Sequence, residues 1–209
     1  MTSGVYEVVS IAPIGAAFAF FSDRNVQDIS DLAGRKIPVL DNAPEIQMFV
    51  AQAGLTPVAA TLATMFSKFN NHAVDITAAP ALAYEPLELY KGLEPDGGII
   101  DFPLIQITLQ LVARKARLPE GFGQSSREYA VANFDDAIKM IKQSEDGIPK
   151  KYWITIPDEK KVGWTEMFRL NRIALRDKGI YNAKALTVFR KIRCSIEPDL
   201  AECTAIDKE

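Results

Sequence analysis

The order of apolar patterns along the chain constrains its fold more than any other feature of the sequence. In the first half, short runs of β-forming residues alternate with stretches of helical periodicity, from a strand at residues 4–10 to a long alternating run at 99–114. Such an order predicts α/β lobes with a mostly parallel sheet. From residue 120 onward the pattern is helical. Helices with an apolar face need a surface to cover, so these helices are expected to complete a second lobe whose strands are mostly missing from this stretch.

Proline, glycine and capping residues mark several element boundaries. Residues 28–34 predict one or two helical turns, with Asp28 or Ser30 as the cap. Pro38 lies inside a predicted strand at 36–40, and because it donates no ladder hydrogen bond that strand should lie at an edge or be distorted. The other predicted strands are 16–21, 56–60 and 74–78, and the predicted helices are 44–53, 61–71, 80–91, 120–147, 158–179 and 182–193.

Composition excludes several classes of protein. The chain has 209 residues, 48% of them apolar, which suffices for one large domain or two small lobes. With 24 Lys and Arg against 27 Asp and Glu, no excess of positive charge favours nucleic acid as a partner. One His and two Cys are too few for the usual four-ligand zinc site. The longest apolar stretch, residues 11–21, is shorter than the ~20 residues that a bilayer span needs.

The two cysteines, Cys194 and Cys203, leave two alternatives open. The polar segment between them contains a proline and can turn, so in an oxidising compartment they could close a small loop and pin the end of the chain. In a reducing compartment they would be two free thiols. Residues 1–4 show no basic region followed by an apolar core, so no secretory signal is visible at the start. A leader is expected to have been removed, or to lie upstream of Met1.

Motifs for catalysis are missing from the sequence. It contains no G-x-S-x-G, no P-loop and no G-x-G-x-x-G. His72, the single histidine, is interpreted as a turn residue, with a ligand or a base as the alternative. The basic run from Arg169 to Lys178 is interpreted as a solvated helix face. We therefore predict no catalytic residue, metal or cofactor, and a small-molecule cleft without catalysis; an unrecognised enzyme is the less favoured alternative.

Two groups of motifs resemble known families. The pattern D-L-x-G-x-K-I-x-V at residues 31–39, a helix ending at Gly54 and the segment 70–80 resemble the second half of the DctP-like solute receptors of TRAP transporters, over roughly residues 12–115. A more specific resemblance runs nearly end to end, to an AdeT-like bacterial branch that is labelled RND-type drug-efflux protein and linked by name to aminoglycoside resistance. The segments that carry it are 4–17, 66–71, 86–93, 120–128 and Arg193-Cys194.

The resemblance implies a type II periplasmic-binding fold, with two α/β lobes, crossover strands and a ligand cleft that closes by a hinge. Residues 11–103 would form one lobe, and 1–10 with 104–209 would supply crossover strands and helices of a second lobe that lacks its N-terminal segment. The implied function is a periplasmic receptor for a small molecule, working with a membrane transporter. The alternative is an accessory protein of drug efflux that binds a drug or a pump partner; the chain itself has no span with which to act as a pump.

The resemblance also indicates where a ligand would lie. The residues expected to line the cleft are Pro38, Asn42, Asn70, Ala79 and Tyr84. Asn42 would donate a hydrogen bond near a helix N-terminus, or simply cap that helix. Tyr84 would offer a flat apolar contact with a polar tip, or serve as ordinary packing.

Two departures from the receptor pattern bear on the ligand. Where the DctP-like receptors carry an arginine that clamps a carboxylate, this chain has Pro38, and where they carry an asparagine it has Ala79. Arg35 could supply a positive charge, but it would point to the opposite strand face from Lys36. The hypothesis is therefore a neutral, apolar or cationic ligand rather than a typical carboxylate.

Overall fold

The computed structural model describes residues 4–205. The strands, in chain order, are β1 (Tyr6–Phe21), β2 (Lys36–Leu40), β3 (Thr56–Ala60), β4 (Ile76–Pro80), β5 (Gly98–Ile100), β6 (Ile105–Arg114) and β7 (Trp153–Ile154). The α-helices are α1 (Pro44–Ala53), α2 (Met65–Asn70), α3 (Tyr90–Leu93), α4 (Phe122–Ala132), α5 (Phe134–Gly147), α6 (Asp158–Asp177), α7 (Ala183–Ile196) and α8 (Ala201–Thr204). Short 3-10 helices occupy Ile29–Leu32, Ala81–Ala83, Lys115–Arg117 and Lys150–Tyr152.

These elements form two compact units, each built from two separate stretches of chain. Unit 1 comprises the chain up to Arg24 together with Phe69–Thr155. Unit 2 comprises Asn25–Lys68 together with the chain from Ile156 onward. This division differs from the predicted boundaries at 11–103. The reason lies in β1 and β6, which pair along most of their length and therefore belong to the same unit.

The sheet of unit 1 is built around β1. Its strand order is β4-β1-β5-β7, and β6 also pairs with β1. The pairings of β1 with β4, β5 and β6 are all antiparallel, and only β5 and β7 run parallel. The prediction of a mostly parallel sheet is therefore wrong for this unit. Because β1 is 16 residues long, one end can pair with β6 and the other with β4, an arrangement that local periodicity does not reveal.

A glycine joins what the sequence suggested were two strands. The predicted strands at 4–10 and 16–21 form the single strand β1, which passes through Gly15 at a φ of 95°. The pairing with β6 shifts register between Pro13 and Gly15. A bulge of this kind takes up an extra residue without ending the strand.

The core of unit 1 lies where β1 meets the segment around α3. Phe20 and Phe21 have no exposed surface, and neither does Phe69. The rings of Phe20 and Phe69 meet edge to face with centroids 6.4 Å apart. Helices α4 and α5 pack on β1.

The predicted helix at 80–91 is wrong over most of its length. The 3-10 helix at Ala81–Ala83 and α3 are separated by turns. Glu88 takes a φ of 52°, in the left-handed region that an α-helix of L-residues does not use. The amide of Leu89 then donates to the carbonyl oxygen of Tyr84, 2.9 Å away.

Unit 2 pairs β2 and β3 in parallel, in register from Lys36 opposite Thr56. Because this sheet has two strands among residues 4–205, Pro38 has an unpaired edge beside it, as predicted. The predicted bounds of β2, α1 and β3 are confirmed. Asp28 caps the 3-10 helix at Ile29–Leu32, its carboxylate accepting from the amide of Ser30.

Helix α6 forms the core of unit 2 against α1. Phe49 and Phe168 stack with ring centroids 5.5 Å apart. Trp164 is buried, and its indole N–H donates to the carbonyl oxygen of Gln27 at 3.3 Å. In the described part of the chain, no helix is both long and apolar enough to cross a membrane.

Candidate functional site

The residues predicted to line a ligand site are divided between the two units. Asn70, Ala79 and Tyr84 belong to unit 1, and Arg35, Pro38 and Asn42 belong to unit 2. Each group is described within its own unit.

Asn70 carries an acceptor without a partner. It ends α2, and its side-chain N–H₂ donates to the carbonyl oxygen of Leu87 at 2.9 Å. Its Oδ1 is buried and accepts no hydrogen bond. An unsatisfied buried acceptor costs about 1–3 kcal/mol. A donor that reached Asn70 Oδ1 would remove this cost.

Ala79 and Tyr84 are both buried in unit 1, with exposed fractions of 1% and 3%. The ring of Tyr84 lies edge-on to that of Tyr90, with centroids 6.0 Å apart, and is tilted against that of Tyr152. Burial, followed by the charges of neighbouring acidic groups, raises the pKa of Tyr84 to about 12. In this arrangement the Tyr84 hydroxyl is neutral at physiological pH, and the ring packs against those of Tyr90 and Tyr152.

Arg35 is engaged with its own neighbourhood in unit 2. Its Nε donates to the carbonyl oxygen of Asp31 at 2.8 Å, and Nη2 donates to that of Asn25 at 3.4 Å. The guanidinium thus ties the loop before β2 to the 3-10 helix. Pro38 is buried within β2, opposite Val58 of β3.

Asn42 is exposed and does not cap α1. The cap position is Ala43, which makes no side-chain hydrogen bond to the helix. The alternative in which Asn42 is the helix cap is therefore wrong, because Asn42 lies one residue too early. Pro44 opens the helix in its place, since a proline at the first helical position needs no amide donor.

A buried carboxylate that the sequence did not single out lies in unit 2. Glu202 of α8 is 4% exposed. Arg193 donates to both of its carboxylate oxygens, at 2.6 and 2.9 Å, and Arg172 donates to Oε2 at 3.1 Å. Burial alone would raise the pKa of Glu202, but the two guanidinium groups outweigh it and hold that pKa below its usual value. Cys194 and Cys203 form a disulfide beside this cluster.

The interpretation of the basic run on α6 as a solvated face is wrong. The side chains of Arg169, Arg172 and Arg176 are only 12%, 25% and 20% exposed. Arg169 pairs with Glu166 and Arg176 with Asp177. The partners of Arg169 and Arg176 are neighbours on the same helix, whereas that of Arg172 is Glu202, which only folding brings to α6.

Each unit also has a surface cavity. One of about 610 Å³ runs along α6 and α8 in unit 2, beside Glu202 and Arg169. One of about 360 Å³ lies in unit 1 between β1 and α4. Neither is lined by a predicted site residue. Within residues 4–205, no three His, Cys, Asp or Glu side chains are grouped as a metal site would need.

The fold is that of the TRAP periplasmic solute-binding proteins. One from Ralstonia eutropha, solved with bound (S)-2-acetolactate, matches with a TM-score of 0.69 and 13% identity, over 83% of this chain and 59% of that one. The ectoine-binding protein of the TeaABC TRAP transporter of Halomonas elongata matches with a TM-score of 0.65 and 17% identity, over the same shares of the two chains. The expected type II periplasmic-binding fold is thereby confirmed. The chain spans about 59% of the length of these structures.

The sequence identifies the group within that class. The chain belongs to the family described as solute-binding protein AdeT 1/2, which matches residues 1–208. A relative named probable solute-binding protein AdeT1, from Acinetobacter baumannii, is 36% identical over 208 residues, covering 100% of this chain and 68% of the relative. Both resemblances inferred from the motifs are thus confirmed.

Proposed function

We propose that this chain binds a small solute and releases it unchanged. The observation that carries the proposal is the end-to-end match to a solute-binding family, over residues 1–208. The TRAP receptor fold supports it, since one of the two solved structures described above holds (S)-2-acetolactate and the other is named an ectoine-binding protein.

The proposed ligand is neutral, apolar or cationic. A carboxylate ligand needs a guanidinium or a comparable donor set. At the two positions where the receptor pattern has such donors, this chain has the buried Pro38 and Ala79. The nearby guanidinium of Arg35 is occupied by the carbonyl oxygens of Asp31 and Asn25.

The proposed contact in unit 1 is Asn70. Its Oδ1 is an acceptor and has no partner. A ligand hydroxyl, amide N–H or ammonium group could donate to it, whereas an ionised carboxylate could not, because it has no proton to donate. This acceptor therefore favours a neutral or cationic ligand over a carboxylate, as does the presence of Pro38 and Ala79 in place of the receptor pattern's donors.

Calorimetry with three ligand panels tests the proposal. Small organic acids, neutral polyols and amides, and amines that include an aminoglycoside would each be titrated into the 209-residue protein. We expect binding in the neutral or amine panel, weakened about tenfold by Asn70→Leu, which removes the acceptor. Arg35→Ala is the matched control and should leave that binding unchanged. Tight binding of an organic acid that Arg35→Ala abolishes would contradict the proposed ligand class.

We also propose a periplasmic location and a membrane transporter as partner. The support is the TRAP fold, whose solved examples are described as periplasmic. Osmotic-shock fractionation of cells that express the natural gene should release the protein with its cysteine pair oxidised. Retention in the spheroplast fraction with two reactive thiols would contradict this location.

A further inference from the structure

The short helix α8 is joined to α7 by two neighbouring cross-links. Arg193 and Cys194 are consecutive residues of α7, and their partners Glu202 and Cys203 are consecutive in α8. Arg193 donates to both carboxylate oxygens of Glu202, and Cys194 forms the disulfide with Cys203. An ion pair and a disulfide therefore join the same two helices one residue apart, so that each keeps the partners of the other close together.

Helix α8 depends on these cross-links for its position. It has four residues, whereas isolated helices shorter than about 12 residues are marginal in water. The residue that it buries is Glu202, and moving a carboxylate from water into a protein interior is costly. The burial of Glu202 therefore does not drive the docking of α8, and the arginines around it must offset the loss of its hydration.

Three arginines converge on Glu202. Arg193 and Arg172 both donate to its Oε2, at 2.9 and 3.1 Å. Arg190 donates from Nη1 to the backbone carbonyl oxygen of Glu202 at 3.4 Å. Like charges held this close repel one another, and the carboxylate between them offsets that repulsion. The cluster is therefore stable only while α8 keeps Glu202 in place.

We propose that the disulfide between Cys194 and Cys203 is a redox-controlled latch for α8. While it is closed, it holds the Glu202 carboxylate at a high effective concentration beside Arg172 and Arg193. A dithiol reductant opens the latch by thiol–disulfide exchange. Two electrons and two protons pass to the cysteines, the bond between their sulfur atoms breaks, and the two sulfur atoms of the reductant form a disulfide with each other. The carboxylate then moves into water and α8 leaves α7.

Release of α8 changes the cavity of about 610 Å³ in unit 2. Leu200 and Ala201 line this cavity on one side, and Val162 and Arg169 of α6 line it on the other. Without α8 in place, the cavity loses the first of these walls. The thiol–disulfide state of the chain therefore determines whether this cavity exists.

Hydrogen exchange of the unmodified 209-residue protein tests the latch. The amides of Cys203 and Ala205 donate to the carbonyl oxygens of Leu200 and Ala201, so their exchange reports on α8. We expect their protection to fall at least tenfold after reduction with dithiothreitol at neutral pH, while the amides of α1 remain protected. Equal protection of α8 before and after reduction would overturn the proposal, because the ion pair alone would then hold the helix.

The redox equilibrium with dithiothreitol tests the coupling between the two cross-links. Glu202→Gln removes the charge that the closed disulfide holds in place, so the equilibrium should shift at least tenfold toward the thiols, about 30 mV for two electrons. Glu197→Gln is the matched control, since Glu197 lies exposed in the same loop and the change in charge is the same. Equal shifts for the two variants would overturn the proposal. The hydrogen-exchange result needs no substitution, so it decides the proposal even if Glu202→Gln does not fold.

Discussion

Glu202 is a single side chain that joins three helices of unit 2. It lies on α8, and its arginine partners Arg172 and Arg193 lie on α6 and α7. A buried carboxylate of this kind contributes little net stability compared with an apolar replacement, but the loss of one partner leaves an uncompensated charge. The structure of this corner of unit 2 therefore depends on the charge of one residue.

We predict that Glu202→Gln lowers the free energy of unfolding by about 3 kcal/mol at neutral pH. This is the lower end of the effect that removing one partner of a buried ion pair has on stability. Glutamine keeps the shape of the side chain but leaves Arg172 and Arg193 without a counter-charge. The pKa of Glu202 is held below its usual value of 4.5. Its stabilisation is therefore complete above that pH and is lost as the pH falls below it. Urea unfolding from pH 7 to pH 3 should show the two proteins converging in stability.

A matched substitution separates this effect from the loss of an ordinary surface pair. Glu88 is 51% exposed and pairs with Lys91 at 2.6 Å. Because exposed pairs contribute little to stability, Glu88→Gln should lower the free energy of unfolding much less than Glu202→Gln does. Equal losses in the free energy of unfolding for the two variants would show that the burial of Glu202 does not increase the effect of removing its charge.

Gly15 is the second residue whose identity the structure requires. We predict that Gly15→Ala costs about 3 kcal/mol. Part of this is the left-handed backbone, at about 1–2 kcal/mol, and part is the new methyl group, which would lie 2.7 Å from Ile141 Cγ2. Gly121→Ala is the control, since Gly121 has a φ of 79° and open space around its Cβ position. A cost for Gly15→Ala no larger than that of the control, measured by thermal unfolding, would show that α5 yields to the methyl group.

Local signals predicted the elements of unit 2 better than those of unit 1. The bounds of β2, α1 and β3 follow from Pro44, Gly54 and the short apolar runs beside them, and the structure has the same bounds. The joining of two predicted strands into β1, and the breaking of the helix at 80–91, depend on partners far along the chain. Periodicity reports which face of an element is apolar, but not which element covers it.

The helix α8 is only four residues long, and a disulfide attaches it to α7. The disulfide between Cys194 and Cys203 closes a loop with a sequence separation of 9. Cys194→Ser with Cys203→Ser should lower stability by about 2–3 kcal/mol, because the unfolded chain regains the freedom of that loop. The same loss should appear when a reductant is added to the natural sequence. In the double variant a reductant should have no effect on the urea midpoint, and a shift there would contradict the assignment.

At the scale of the whole molecule, the family and the fold could be inferred from motifs, whereas the site could not be built from them. The motifs around Lys36 and Pro80 consist of residues close together in the chain, so they can be recognised in a single sequence. The contacts of Arg35 and Asn70 are different, because each depends on a backbone carbonyl that folding brings within reach: that of Asn25 for Arg35, and that of Leu87 for Asn70. Glu202 was missed for the same reason.

The ligand class is a property of the whole chain, and a gain of binding tests it more sharply than a loss. If Pro38 replaces the carboxylate clamp of the receptor pattern, then Pro38→Arg should confer binding of small organic acids, with malonate as the probe. A guanidinium–carboxylate contact contributes about 1.5–3 kcal/mol, so calorimetry should show at least a tenfold gain in affinity over the natural sequence. Pro57→Arg is the matched control, because Pro57 lies exposed on β3, opposite Ile37. If that control gains as much affinity, the new charge acts from anywhere on the sheet and Pro38 does not mark the ligand position.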